Sequence, residues 1–189
     1  MSSILLSGPA SEPVSLAEAK AHLRIAHDDA DAEISALIAA ARAHLELQTR
    51  RAFITQTWRL VRDAWPADGR IAVLPVPLRA LLAARLLMRD GSAQPIELDR
   101  FAIDKAAAPA LLVFAPATMP VSDRVAAGIE LDVEVGYGDA PADVPQPLRQ
   151  AVLMLVAHWF ENRGAVGERT ALLPLSVNAL IAPFRVLGL

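Results

Sequence analysis

A change of hydrophobic period between Ile129 and Val166 constrains this chain more than any other feature. Ile129, Leu131, Val133 and Val135 alternate with Glu130, Asp132 and Glu134, which predicts a strand with one buried and one wet face. Gly136-Tyr137-Gly138-Asp139 breaks that strand, and Pro141, Pro145 and Pro147 stiffen the chain beyond it. A helix is expected next. Either Asp143 caps it with Gln146 as reciprocal partner, or Pro145 opens it as an early helical residue. Val152, Leu155, Val156, Trp159 and Phe160 then recur at helical spacing. Asn162-Arg163-Gly164 reads as a basic last turn and a glycine stop. Leu153, Met154 and Ala157 leave the helix apolar nearly all round, so it requires cover on more than one side.

Upstream, Ser15-Leu16-Ala17-Glu18 has the form of a capping box. Leu16, Ala19 and Leu23 make a short stripe, and His27-Asp28-Asp29 is the expected start of a second helix. Its buried face would be Ile34, Leu37, Ile38, Ala41 and Leu45. From Phe53 onward the pattern changes to strands. Residues 53–62 alternate, and shorter candidates lie at 70–74, 81–89, 96–103 and 111–114, separated by turn residues.

The expected fold is α+β: a helical bundle formed by the N- and C-terminal helices, with a small antiparallel sheet or sandwich inserted. The expected layout is one domain. It has a flexible arm at 1–13, helices at 14–52, a β-rich insertion at 53–136, the long helix region at 137–166 and an apolar tail at 167–189.

Composition narrows the function classes. With 189 residues the chain can bury a sizeable core. It is 54% hydrophobic but only 5% aromatic, and the surplus is largely alanine, which suits close helix packing between subunits. A net charge of −3 argues against a protein whose main task is gripping nucleic acid. It leaves room for a channel through which DNA slides. The absence of cysteine excludes disulfides, thiolate metal sites and a cysteine nucleophile. The start MSSILLSGPASEPVS has neither a basic beginning nor a long apolar stretch, so no secretory signal is expected. No run approaches the roughly 18 apolar residues of a membrane span. The expectation is a soluble protein made in the cytoplasm, with no membrane partner.

Motifs that would carry chemistry come out mostly empty. Asp29-Ala30-Asp31-Ala32-Glu33 resembles the opening of a calcium loop. Ile34 and Ala40 stand where such a loop needs glycine and glutamate, so an acidic helix start fits better. His158 and Glu161 could form an acid–base pair or half a metal site, but a third ligand is not evident, and His22, His27 and His44 lie in separate segments. The glycines beside Tyr137 are followed by no phosphate-loop pattern, and Ser7, Ser11, Ser15 and Ser176 lack a nucleophile-elbow context. No catalytic residue, metal or cofactor is therefore expected.

Arg50, Arg51, Arg59 and Arg62 form the densest basic grouping. They either line a DNA-facing surface or cap a helix and wet a strand. Trp159 and Phe160 are expected as core or interface anchors. The tail, with Leu172, Leu173, Leu175, Val177, Leu180, Ile181 and Phe184, either covers its own core or docks into a partner's groove.

The ordered set SLAEAKAHLRI, DDADAEISALIAAARAHLE, ITQTW and GYGDAPADVPQPLRQAVLMLVAHWFENR resembles the phage head–tail connector family. These are adaptor or head-completion proteins, with relatives in gene transfer agents. One departure is Thr49-Arg50-Arg51, where such sequences often read Thr-Gly-Arg. The resemblance implies a structural protein at the head–tail interface of a virion or phage-like particle. About twelve copies would close a head-to-tail ring with heterologous contacts. That ring would sit below the portal protein, receive the next tail component (a stopper or tail terminator) and extend a DNA channel without sequence-specific binding. On this reading Leu155, Trp159 and Phe160 lie between subunits. Leu173, Leu175, Leu180, Ile181 and Phe184 face the portal, and Arg50 and Arg51 face DNA. The alternatives are a small nucleic-acid-binding or tail-completion module and, further off, a small enzyme.

Overall fold

The structure, a computed structural model, describes residues 2–162 and 173–186. It is α+β, as the sequence predicts. By contacts it divides into two compact units: Met1–Pro9 with Thr55–Tyr137, and Ala10–Ile54 with Gly138–Leu189. The β-rich insertion is large enough to build its own core.

In the β unit, β1 (Ser2–Ser7), β2 (Gln56–Arg62), β4 (Leu78–Leu87), β5 (Ala93–Pro95) and β8 (Ile129–Val135) form an antiparallel sheet in the order β1-β2-β8-β4-β5. β8 lies at its centre, and its alternation decides which face is which. Leu131 is paired with Leu60 and Ala84, and Val133 with Trp58 and Leu81. Leu60, Leu131, Val133 and Val135 are fully buried. A second, three-stranded sheet orders β3 (Arg70–Ala72), β7 (Leu111–Val113) and β6 (Ala102–Asp104) as β3-β7-β6. Trp65, Phe101 and Phe114 meet ring to ring at centroid distances of 5.0–6.0 Å. The Trp65 indole N–H donates to the Pro120 carbonyl at 2.7 Å, which satisfies its polar tip.

Several strand expectations need correction. The expected loose arm at 1–13 includes β1, which pairs with β2 across 48 intervening residues. The candidate at 96–103 is broken: β5 ends at Pro95, a 3-10 turn occupies Leu98–Arg100, and β6 starts at Ala102. The Ile96 N–H still donates to the Ala84 carbonyl at 2.9 Å, and the chain leaves β4 after it.

In the helical unit, α1 (Leu16–Leu23), α2 (Asp31–Thr49), α3 (Gln146–Glu161) and α4 (Leu175–Ile181) pack together, with α3 touching each of the other three. Ile34, Ile38, Ala41 and Leu45 of α2 are buried, as are Leu148, Ala151, Val152, Leu155 and Val156 of α3. These are two apolar stripes at helical spacing. Each large side chain moved from water contributes roughly 1.5–3 kcal/mol.

The predicted capping box at α1 is present. The Glu18 backbone N–H donates to Ser15 Oγ at 3.2 Å, and the Ser15 N–H donates to Glu18 Oε2 at 2.8 Å. Arg149 of α3 pairs with the same Glu18 carboxylate and donates through Nε to the Pro13 carbonyl at 2.9 Å. The Ser15 hydrogen bonds, with Arg149 behind them, hold the Glu18 carboxyl below the usual range. The second helix begins later than expected, at Asp31. Lys20 explains the acidic residues before it, with Nζ 2.6 Å from Asp28 Oδ1 and 2.7 Å from Asp31 Oδ1.

Of the two predicted starts of the long helix, the Asp143 cap is the one corrected. Pro145 is its N-cap and Pro147 sits in its first turn. Asp143 instead closes the preceding 3-10 turn at Pro141–Asp143, with Oδ2 accepting from the Ala140 N–H at 2.9 Å. Gly138 makes room for it, because a Cβ there would lie 2.1 Å from that oxygen. The expected Arg163-Gly164 stop lies outside the described residues.

Candidate assembly surfaces

The residues singled out on α3 separate by depth. Leu155 is 1% exposed, so its side chain is used inside the helical unit and reaches no outside surface. Trp159 and Phe160, one turn on, are half-buried. The Trp159 ring meets His44 of α2 edge to face at 5.9 Å. The helix thus anchors its own unit with Leu155 and presents part of Trp159 and Phe160 outward.

The C-terminal segment divides in the same way. Ile181 and Val177 are fully buried, whereas Leu175 is 87% exposed. Leu173, Leu180 and Phe184 are half-buried. The segment is also tied down: the Arg51 Nε donates to the Phe184 carbonyl, and the Val186 N–H donates to the Thr49 carbonyl at 3.1 Å. Val177 and Ile181 cover the unit's own core, and Leu175 is left facing out. Leu172 and residues 187–189 lie outside the described residues.

The basic grouping does not survive as one surface. Arg51 lies over the Phe184 ring at 5.8 Å from its centroid as well as bonding that residue's carbonyl. Arg62 is 8% exposed, and it donates to the Val61 carbonyl at 2.8 Å. Its burial pulls the guanidinium pKa down. Arg59 belongs to an ion-pair lattice on the polar face of the five-stranded sheet. Its Nε lies 2.7 Å from Asp132 Oδ1 and a terminal nitrogen lies 3.2 Å from Glu130. Arg85 reaches Asp132 from the other side at 2.8 Å, and Arg79 meets Glu134 at 2.9 Å. Arg50 is exposed.

Arg50 also answers the departure from Thr-Gly-Arg. It holds the left-handed conformation itself (φ 57°, ψ 37°), and its N–H donates to the Glu46 carbonyl. The helix exit that glycine usually makes is kept, at a conformational cost of about 1 kcal/mol.

The fold brings together histidines that the sequence left apart. His22, His158 and Glu161 line one open groove of about 470 Å³ with Gln150, Met154 and Ser176. His158 Nε2 is buried there without a hydrogen-bond partner. Among the described residues no group of three His, Asp or Glu side chains is placed to hold a metal ion, and no helix is long and apolar enough to cross a membrane. One feature escaped sequence reasoning. Ile4, Leu5 and Leu6 of β1 are 49%, 47% and 45% exposed; the signal for it was the uncharged run SSILLS.

Residues 13–80 match the family described as phage gp6-like head-tail connector proteins. That match, with the likenesses that follow, supports a structural connector role for the chain. Its whole length is shared with solved chains of gene transfer agent (GTA) particles. A chain from the neck of an empty GTA particle with C6 symmetry is 24% identical, with TM-score 0.86, covering 100% of this chain and 97% of that one. A chain from the virion of a native GTA particle is 25% identical, with TM-score 0.81 and the same coverage. A chain from the neck of a native GTA particle with C12 symmetry is 25% identical, with TM-score 0.76, covering 98% and 97%. Comparison with curated proteins by sequence found no significant match.

Proposed function

We propose that this protein is a ring subunit at the head–tail interface of a phage-like particle of the gene transfer agent kind. The observation that carries the reading is the full-length likeness to chains from C6 and C12 necks, joined to the connector match over residues 13–80. About twelve copies close head to tail, so each subunit offers two different surfaces to its neighbours. The ring lies under the portal protein, receives the next tail component (stopper or tail terminator) and lets DNA pass without reading its sequence. The role is architectural rather than catalytic.

Trp159 and Phe160 are the subunit contacts on α3, supported by their partial exposure beside the buried Leu155. Leu175 leads the portal-facing group, with Leu173, Leu180 and Phe184 around it and Ile181 holding the segment from inside. Arg50, exposed at the helix exit, is the candidate for facing DNA; the arginines of the sheet are neutralised by their own acidic partners.

Native mass by light scattering tests the reading, with the protein alone and then mixed with the portal protein. A ring-sized species, or a monomer that shifts onto the portal, is the expected result. A strict monomer that ignores the portal would overturn it.

A further inference from the structure

The five-stranded sheet ends in two unequal open edges. On one side β1 is the last strand, exposed along its whole length. On the other side β5 pairs with β4 from Arg85 to Leu87, and just beyond it the Ile96 N–H donates to the Ala84 carbonyl. Among the described residues no strand lies along the outer edge of β4 from Leu78 to Ala83, where Leu82 is 46% exposed; the segment carries two register breaks, and Lys105 Nζ donates to the Arg79 carbonyl at 2.8 Å, a contact an added strand would displace. A shallow groove of about 430 Å³ meets this edge at Leu82 and Ala83 and continues past Arg85 to Pro95, Ile96 and Leu98.

β1 lacks the usual protections of an exposed edge. Natural edge strands carry a charge, a proline or an inward-pointing lysine to block further pairing; Ser2–Ser7 reads SSILLS and has none of these. Its apolar residues are also consecutive. Ile4 stands opposite Arg59 on the polar face of the sheet, and Leu5 stands opposite Trp58 on the apolar face. A strand that is apolar on both faces is suited to burial between layers, not to the rim of a solvated sheet. Covering one face alone would leave Ile4 or Leu5 wet.

We propose that β1 of one copy pairs along the open Leu78–Ala83 edge of β4 in the next copy, continuing the sheet from subunit to subunit around the ring. A second copy is the occupant because the donor edge and the acceptor edge sit at opposite ends of one sheet. That arrangement is what a heterologous, closing contact requires. Backbone hydrogen bonds supply the affinity, as in strand addition, and Leu82 with its groove receives the apolar side chains of β1. The inference rests on the ring reading above and adds a contact that α3 does not supply.

The cysteine-free sequence permits a direct test. Ile4→Cys, Leu5→Cys and Leu6→Cys are each combined with Leu82→Cys in the full chain, oxidised and run on non-reducing gels. Within one chain β1 and β4 are three strand spacings apart, about 14 Å, beyond the roughly 7 Å Cα separation a disulfide spans. Any bridge between position 82 and β1 is therefore between copies. A ladder of covalent multimers is expected from at least one pair. No ladder is expected from single variants or from Leu47→Cys with Leu82→Cys, where Leu47 is an exposed helical site.

Dimers from a single β1 cysteine would mean two-fold edge pairing and overturn the proposal. So would the absence of any ladder, the outcome expected if the portal or a tail protein covers β1 instead. Native mass of the wild-type chain, alone and with portal, separates the two ideas. Rings without a ladder remove this contact and leave the ring reading; neither rings nor a ladder removes both.

Discussion

Arg59 and Asp132 stand directly opposite each other on β2 and β8 and meet side-on, Nε to Oδ1 at 2.7 Å and a terminal nitrogen to Oδ2 at 3.0 Å. Two parallel charge-assisted hydrogen bonds are the strongest form such a pair takes. Arg85 closes on the same carboxylate from β4, so one aspartate holds three strands on their polar face.

This makes stability depend on pH in a definite direction. The hydrogen bond from Arg59 holds the Asp132 carboxyl below the usual range, helped by Arg85 and opposed by burial. A depressed folded-state pKa gives stability that is fully present above the unfolded value near 3.9 and lost as pH falls through the folded value. Asp132→Asn should therefore unfold at clearly lower urea than wild type at pH 7, and the gap should narrow below about pH 4. A gap that stays constant from pH 7 to pH 3 would sink the assignment.

Arg50→Gly should stabilise the helical unit by about 1 kcal/mol, because glycine enters the left-handed region without the Cβ penalty that Arg50 carries. Chemical denaturation reads this directly. A destabilised variant would mean that the Arg50 side chain contributes more than its backbone costs.

Gly138→Ala should cost about 2 kcal/mol or more, since the new Cβ would occupy the place of the Asp143 carboxylate. Asp143→Ala alone should cost about 1 kcal/mol for the lost bond to the Ala140 N–H. With Asp143 already removed, the alanine at 138 should cost much less. Additive losses would show that the clash is relieved some other way.

Trp159→Glu should keep the native circular dichroism spectrum, with the melting temperature lowered by the lost His44 contact, and should abolish ring-sized species. Normal rings from this variant would remove α3 from the subunit interface.

Leu175→Asp should leave thermal stability within about 0.5 kcal/mol of wild type, as expected of an exposed position. It should weaken co-purification with the portal at least tenfold. Unchanged portal binding would redirect the docking claim away from α4.

The organising stretch was legible because its signals are local. The alternation at 129–135 and the helical repeat from Leu148 are short-range properties of the chain, and each appears where its period predicts. The capping box at Ser15 and Glu18 spans three residues and was equally readable. Even the fate of the helix exit at Arg50 is a matter of one residue's backbone.

Other features depended on partners far along the chain. SSILLS has no alternation to mark it as a strand; it becomes β1 because β2, 49 residues further on, offers it a ladder. Leu155 and Trp159 lie four apart on one helical stripe, and only the packing of α2 and α4 decides that the first is sealed and the second half-open. Sequence left Arg51 between a DNA-facing and a helix-capping role; Phe184, 133 residues away, takes up its guanidinium through a ring contact and a hydrogen bond. The sequence by itself determined periodicity, capping and composition, and through them the element types and the α+β class. Tertiary structure decided which edges, charges and apolar side chains were left over for assembly, because burial and pairing depend on residues brought together only by folding.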